Sequence, residues 1–121
     1  MSWEFRGDVP IYTQLTDRLR RRIVSGDLPP GERLPSVREL SAQAGVNPNT
    51  VQRAMAEMER LGLVHSQRTA GRFVTEDETV IRSLRAELAR EQIDTFLAGM
   101  RQLGFDRAEI TALLEEEGAR E

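Results

Sequence analysis

The hydrophobic positions change period along the chain, and each change marks a new element. From Pro10 to about Ser25, Ile11, Leu15, Leu19 and Ile23 recur every four residues, with Tyr12 beside them. This spacing predicts a helix with one buried face, opened by Pro10 and stopped by Gly26. Arg18, Arg20, Arg21 and Arg22 flank the stripe and read as a solvated basic face. Residues 26–35, GDLPPGERLP, hold three prolines and two glycines, which excludes a regular element. They predict a stiff connection with Leu28 and Leu34 plugged into the core.

Two helix starts follow in SVRELSAQAGVNPNTVQRAMAEMERL, residues 36–61. Ser36 with Glu39 is a capping box, in which each side chain satisfies a backbone N–H at the helix start. Asn47 before Pro48 is a second start, a capping side chain followed by the residue suited to the first helical position. Gly45 supplies the break between them. Val37, Leu40 and Ala44 share one face of the first helix, and Val51, Ala54, Met55, Met58 and Leu61 share one face of the second. Val46 fills the corner, and Ser41 is small enough to let the helices approach. Two short helices about a glycine turn match the helix-turn-helix template, though an αα-corner in any helical domain has the same pattern. Asn49, Thr50, Gln52 and Arg53 lie off the apolar stripe, where a recognition helix presents its first turns to base edges.

The period then shortens. After Gly62, LVHSQRTAGRFVT reads as a β-hairpin with Leu63, Val64, Phe73 and Val74 in its strands and Arg68–Arg72 at its tip. A hairpin in this place is a wing. Arg68, Thr69, Gly71 and Arg72 suit contact with a phosphate backbone or a minor groove. Arg33, just before the Ser36 cap, stands near a helix N-terminus that could receive a phosphate.

The helical period returns at Val80. Val80, Ile81, Leu84, Leu88, Ile93, Phe96, Leu97, Met100 and Leu103 predict a helix of about 24 residues ended by Gly104. Glu76–Glu78 suits its positive end. Asp106 and Glu109 form another capping box, opening a short helix to about Glu117 with apolar positions Ala108, Ile110, Leu113 and Leu114. Two helices cannot bury two apolar faces by themselves, so a second copy is the expected cover. Ile81, Leu84, Leu88, Ile93, Phe96, Leu97, Met100 and Leu103 form the expected dimerisation face. Phe96, Met100 and Phe105 allow two readings, a plain dimer core or the lining of a small-molecule effector site between subunits. The expected fold is mainly α with a small β-hairpin: a winged helix-turn-helix over residues 1–75, then a two-helix dimerisation domain over residues 76–121. The arm Ser2–Val9 carries Trp3 and Phe5. They are expected on the domain surface, with a crossing to a partner subunit as the alternative.

Charge sharpens this picture. The net charge is −3, but residues 1–75 hold 11 Arg against 8 acidic residues, and residues 76–121 hold 6 Arg against 12. A basic front and an acidic back point the front at phosphate, so double-stranded DNA is the expected partner. There is no Lys; Arg is the better bidentate partner for phosphate and guanine. With no Cys and one His, His65, on a wing strand, no metal site, cofactor or nucleophile motif is expected, and an enzyme is disfavoured. No apolar run is long enough to span a bilayer and no signal peptide is visible, so a cytoplasmic protein is expected. A winged-helix module that binds protein instead of DNA is the competing reading, with the acidic total charge as its support.

These residues resemble the DNA-binding domain of the GntR family of bacterial transcription regulators. The resemblance runs from Pro10 to Phe73. Its most specific parts are I-x-S-G-x-L-P-x-G-x-x-L-P-S-x-R-x-L, here Ile23 to Leu40, and the GVNPNTV turn. The short remainder and VNPNTV are similar to the YtrA branch, with its reduced C-terminal dimerisation unit. The resemblance implies a transcription regulator, most often a repressor; the two-fold symmetry of the expected homodimer would match a palindromic operator. It implies DNA contact by Arg38, by Asn47, Asn49, Thr50 and Gln52 around the recognition helix, and by Gly71 at the wing; Ser36, at the start of the preceding helix, is a further candidate contact. Pro48 and Gln52 stand where other branches often carry Arg, and Met55 replaces an aromatic frequent in this branch.

Overall fold

In the computed structural model, which describes residues 3–120, the first helix, α1, spans Ile11–Ser25. Leu15, Leu19 and Ile23 are buried along one face, whereas Ile11, the first helical residue, is 41% exposed. Gly26 ends α1 at φ +90°, its N–H bonded to the Ile23 carbonyl. Helix α2 (Val37–Ala44) and helix α3 (Pro48–Arg60) follow as the caps dictate. Val51, Ala54, Met55 and Met58 of α3 are fully buried with Leu40 of α2 and Leu15 and Leu19 of α1. Burial of each large aliphatic side chain contributes about 1.5–3 kcal/mol. Leu61 departs from its expected place: it is the C-cap of α3 and 40% exposed. Gly62, at φ +76°, turns the chain there, and Leu63 enters the core at 2% exposure.

Strands β1 (Val64–Gln67) and β2 (Gly71–Val74) pair antiparallel in the register Val64↔Val74, His65↔Phe73, Ser66↔Arg72 and Gln67↔Gly71. Gly71 and Arg72 therefore belong to β2, and the tip is Arg68, Thr69 and Ala70. The connection before α2 does more than bridge two helices. The Leu34 N–H bonds the Arg72 carbonyl at 2.8 Å, the Val74 N–H bonds the Glu32 carbonyl at 2.9 Å, and Arg33 bridges Phe73. Residues 31–34 thus add a short third rung beside β2.

The arm lies on α1 of its own chain; Ser2 is outside the described residues. Gln14 accepts from the Arg6 N–H and donates to the Arg6 and Val9 carbonyls. Trp3 and Phe5 stack at 6.1 Å, with the Arg18 guanidinium 5.9 and 5.2 Å from their rings.

Helix α4 (Glu78–Gln102) is preceded by Asp77, whose carboxylate accepts from the Thr79 N–H at 2.9 Å. Gly104 turns the chain at φ +92°, and the capping box of Asp106 and Glu109 opens α5 (Arg107–Arg120), which continues past Glu117. The chain divides into two compact units, one ending at Arg85 and one beginning at Ala86, so the division falls inside α4. Of the expected dimerisation residues, Leu84 and Leu88 are buried within a single chain, at 4% and 5% exposure. Ile81, Leu97 and Met100 are half-buried. Ile93, Phe96 and Leu103 remain 54%, 42% and 72% exposed. Among the described residues no helix is long and apolar enough to cross a membrane.

Candidate nucleic-acid interface

The reading face is built from its caps. Ser36 Oγ accepts from the Glu39 N–H at 3.1 Å, and Glu39 Oε1 accepts from the Ser36 N–H at 3.2 Å. Ser36 therefore serves first as the cap of α2. The Ser36 backbone N–H, and secondarily its hydroxyl, holds the Glu39 carboxyl below the usual carboxylate range. A phosphate arriving at this helix end meets that carboxylate as well as the positive end of the helix. Arg38, one residue into the helix, is exposed and makes no hydrogen bond or ion pair among the described residues.

The turn is closed by Ser41, whose hydroxyl donates to the Val46 carbonyl, and by Gly45 at φ +68°. Ser41 thus acts through a hydrogen bond as well as through its small size. Asn47 Oδ1 caps α3 by accepting from the Asn49 N–H at 2.8 Å. With Val51, Ala54 and Met55 held underneath, Asn49, Gln52 and Arg53 are exposed and Thr50 is half-buried. This is the outward face the spacing predicts. Arg53 is not extended into solvent: its guanidinium carbon lies 3.8 Å from the centre of the Tyr12 ring.

The wing is fastened at two points. Glu59 Oε1 accepts from Ser66 Oγ and from Arg72 Nε, each at 2.6 Å. Arg72 is 22% exposed and its charge is matched by Glu59, so its main structural part is to dock the wing on α3. Arg33 Nε donates to the Ala70 carbonyl at 3.0 Å, bracing the tip from the preceding connection. A Cβ at Gly71 would come within 3.0 Å of that same nitrogen. Arg68 and Thr69 stand exposed at the tip, and Thr69 takes the left-handed conformation at φ +64°. His65 lies on β1, stacked on Phe73 at 6.1 Å.

The fold thus brings Arg38, Asn49, Gln52 and Arg53 to the surface of the two-helix head, and Arg68 and Thr69 to the wing tip. It gives Ser36, Asn47, Arg33, Gly71 and Arg72 structural duties alongside any contact. Tyr12, Glu59 and Ser66 were not among the expected site residues. Tyr12 stood beside the apolar stripe of the first helix. Glu59 and Ser66 meet only once the hairpin folds back, and no local spacing announces that.

Helix, turn, helix and pinned ribbon, in this order, define a winged helix-turn-helix protein. The chain belongs to the GntR family of bacterial regulatory proteins, whose family model matches residues 11–74. It is 42% identical over 110 residues to the uncharacterized HTH-type transcriptional regulator YhcF of Bacillus subtilis, covering 91% of each chain. It is 30% identical over 112 residues to the HTH-type transcriptional repressor YtrA of the same organism, covering 92% of this chain and 86% of YtrA. A GntR family transcriptional regulator from Listeria monocytogenes superposes with a TM-score of 0.84 at 35% identity, over 93% of this chain and 98% of its own. AraR(DBD), solved in complex with operator ORX1, matches 62% of this chain and 96% of its own, with a TM-score of 0.58 at 28% identity. The resemblance to GntR regulators and to YtrA read from the sequence therefore holds.

Proposed function

We propose that this chain is a sequence-specific DNA-binding regulator of transcription, acting as a homodimeric repressor on a palindromic operator. The observation that carries this reading is the two-sidedness of α3. Its underside anchors the core, while Asn49, Gln52 and Arg53 form an exposed row of donors and acceptors beside a wing fixed by Glu59 and Arg33. That is the layout a recognition helix needs in a major groove. AraR(DBD), of related fold, is held on an operator, and YtrA is named a repressor. The exposed apolar residues Ile93, Phe96 and Leu103 support pairing with a second copy, which would match a two-fold site. A cytoplasmic setting goes with this role.

The test is a titration of the purified chain against the duplex upstream of its own reading frame. Binding should fall steeply with salt, each neutralised phosphate adding about −0.9 to the log–log slope. Arg38→Ala should cost about 1–3 kcal/mol. A chain that binds no duplex, or binds with a flat salt response, would return the fold to the protein-binding reading.

A further inference from the structure

Arg53 is exposed, and among the described residues it makes no hydrogen bond or ion pair. Its neighbours differ. Arg60 is paired with Glu57, Arg72 with Glu59, and Arg21 with Asp17. Arg38 and Arg68 are also unpaired among the described residues, but no ring or polar group there holds them in place. Arg53 alone of these three is both unneutralised and oriented, by the face of Tyr12 at 3.8 Å.

Face-on stacking occupies the flat surface of a guanidinium and leaves its rim of five N–H donors free. It also restricts a long side chain before any ligand arrives, so less freedom is lost on binding. The direction matters too. Base edges lie at the floor of a groove roughly 8.5 Å deep, and phosphates line its rim. A side chain folded back onto α1 is held near the body of the domain. Among the described residues the side chains of Asn49 and Gln52 have no such tether and can project from α3.

We propose that Tyr12 is a positioning residue that holds Arg53 as a phosphate clamp at the edge of the reading helix, leaving base readout on α3 to Asn49 and Gln52. This moves Arg53 from the groove floor, where the spacing had put it, to the groove rim. The inference rests on the DNA-binding reading above.

The test is fluorescence anisotropy with two labelled duplexes, one from upstream of the reading frame and one scrambled at equal length and composition, over a salt series. Arg53→Gln should weaken both duplexes by the same factor, roughly tenfold, and flatten the salt slope by about 0.9 per protomer. Tyr12→Phe keeps the ring and should bind as wild type. Tyr12→Leu should lose about two- to fivefold on both duplexes and add nothing once Arg53→Gln is present. Arg53→Lys leaves the core untouched and keeps the charge but not the flat stack. It should lose about two- to fivefold on both, even if Tyr12→Leu fails to fold. A loss confined to the upstream duplex with an unchanged slope would make Arg53 a base reader and overturn the proposal. So would Tyr12 and Arg53 effects that multiply independently, or an Arg53→Lys variant equal to wild type. Wild-type protein that binds neither duplex would sink the DNA-binding reading itself, a separate result.

Discussion

Arg72 Nε lies 2.6 Å from Glu59 Oε1, and that same oxygen accepts a hydrogen bond from the Ser66 hydroxyl. Ser66 and Arg72 face each other across the hairpin, so one carboxylate at the end of α3 fastens both strands. The Ser66 hydroxyl, and then Arg72, hold the Glu59 carboxyl below its usual 4.5. A carboxyl with a lower pKa folded than unfolded stabilises the fold above its unfolded value, and the contribution fades as pH falls through the folded one. Glu59→Gln should therefore cost about 1 kcal/mol in urea unfolding at pH 7. The gap from wild type should close as pH drops below the carboxylate range. Equal stability at pH 7 would show that the clamp holds nothing.

The wing tip has a second brace, and it explains a glycine. Arg33 Nε donates to the Ala70 carbonyl, and a Cβ at Gly71 would sit 3.0 Å from that nitrogen. Gly71 also adopts φ +107°, which side-chain-bearing residues rarely take. Gly71→Ala should cost about 1–2 kcal/mol. In an Arg33→Ala background the crowding is gone and only the backbone strain remains, so the same substitution should cost less. A double-mutant cycle by thermal unfolding measures the difference. Identical costs in both backgrounds would deny any close approach.

Thr69 carries strain of a different origin. It is β-branched yet sits at φ +64° between Arg68 and Ala70, where Asn or Gly is the easier residue. Thr69→Asn should raise stability by about 0.5–1 kcal/mol, because Asn tolerates the left-handed region. Differential scanning calorimetry reads the gain as a higher Tm. An unchanged or lower Tm would mean that the Thr69 hydroxyl, bonded to the Arg68 carbonyl at 2.5 Å, outweighs the strain.

Local chemistry explains why so much of this fold is legible in the sequence. The Ser36–Glu39 and Asp106–Glu109 boxes and the Asn47–Pro48 start each act within three residues, and all three form. The four-residue spacing of Leu15, Leu19 and Ile23 is set by helix pitch alone. The features that local sequence does not announce depend on distant partners. Arg33 and Ala70 are 37 positions apart, and Glu59 meets Arg72 only after the hairpin turns back. The apolar period continues through Leu61, but Gly62 breaks the helix one residue later, which leaves Leu61 exposed and sends Leu63 inward. Among the site residues, exposure of Asn49, Gln52 and Arg53 followed from the stripe. The stacking of Arg53 on Tyr12 did not, since nothing in either helix alone relates them.

The last prediction separates residues that fold the chain from residues that pair it. Leu84 is 4% exposed within one chain, so Leu84→Ala removes packing atoms and should cost about 2–5 kcal/mol of folding stability. Leu103 is 72% exposed in the single chain, so a charge there meets water until a partner covers it. Leu103→Glu should leave thermal unfolding at low protein concentration nearly unchanged. In a dimer sealed by this face it would bury an unpaired carboxylate, weakening self-association by about 3 kcal/mol, or roughly a hundredfold. Sedimentation equilibrium over a micromolar range should find wild type as a dimer and the variant shifted towards monomer, with DNA affinity falling in parallel. A wild type that sediments as a monomer would deny the pairing itself, and a variant that assembles as tightly as wild type would place the pairing face elsewhere than on Ile93, Phe96 and Leu103.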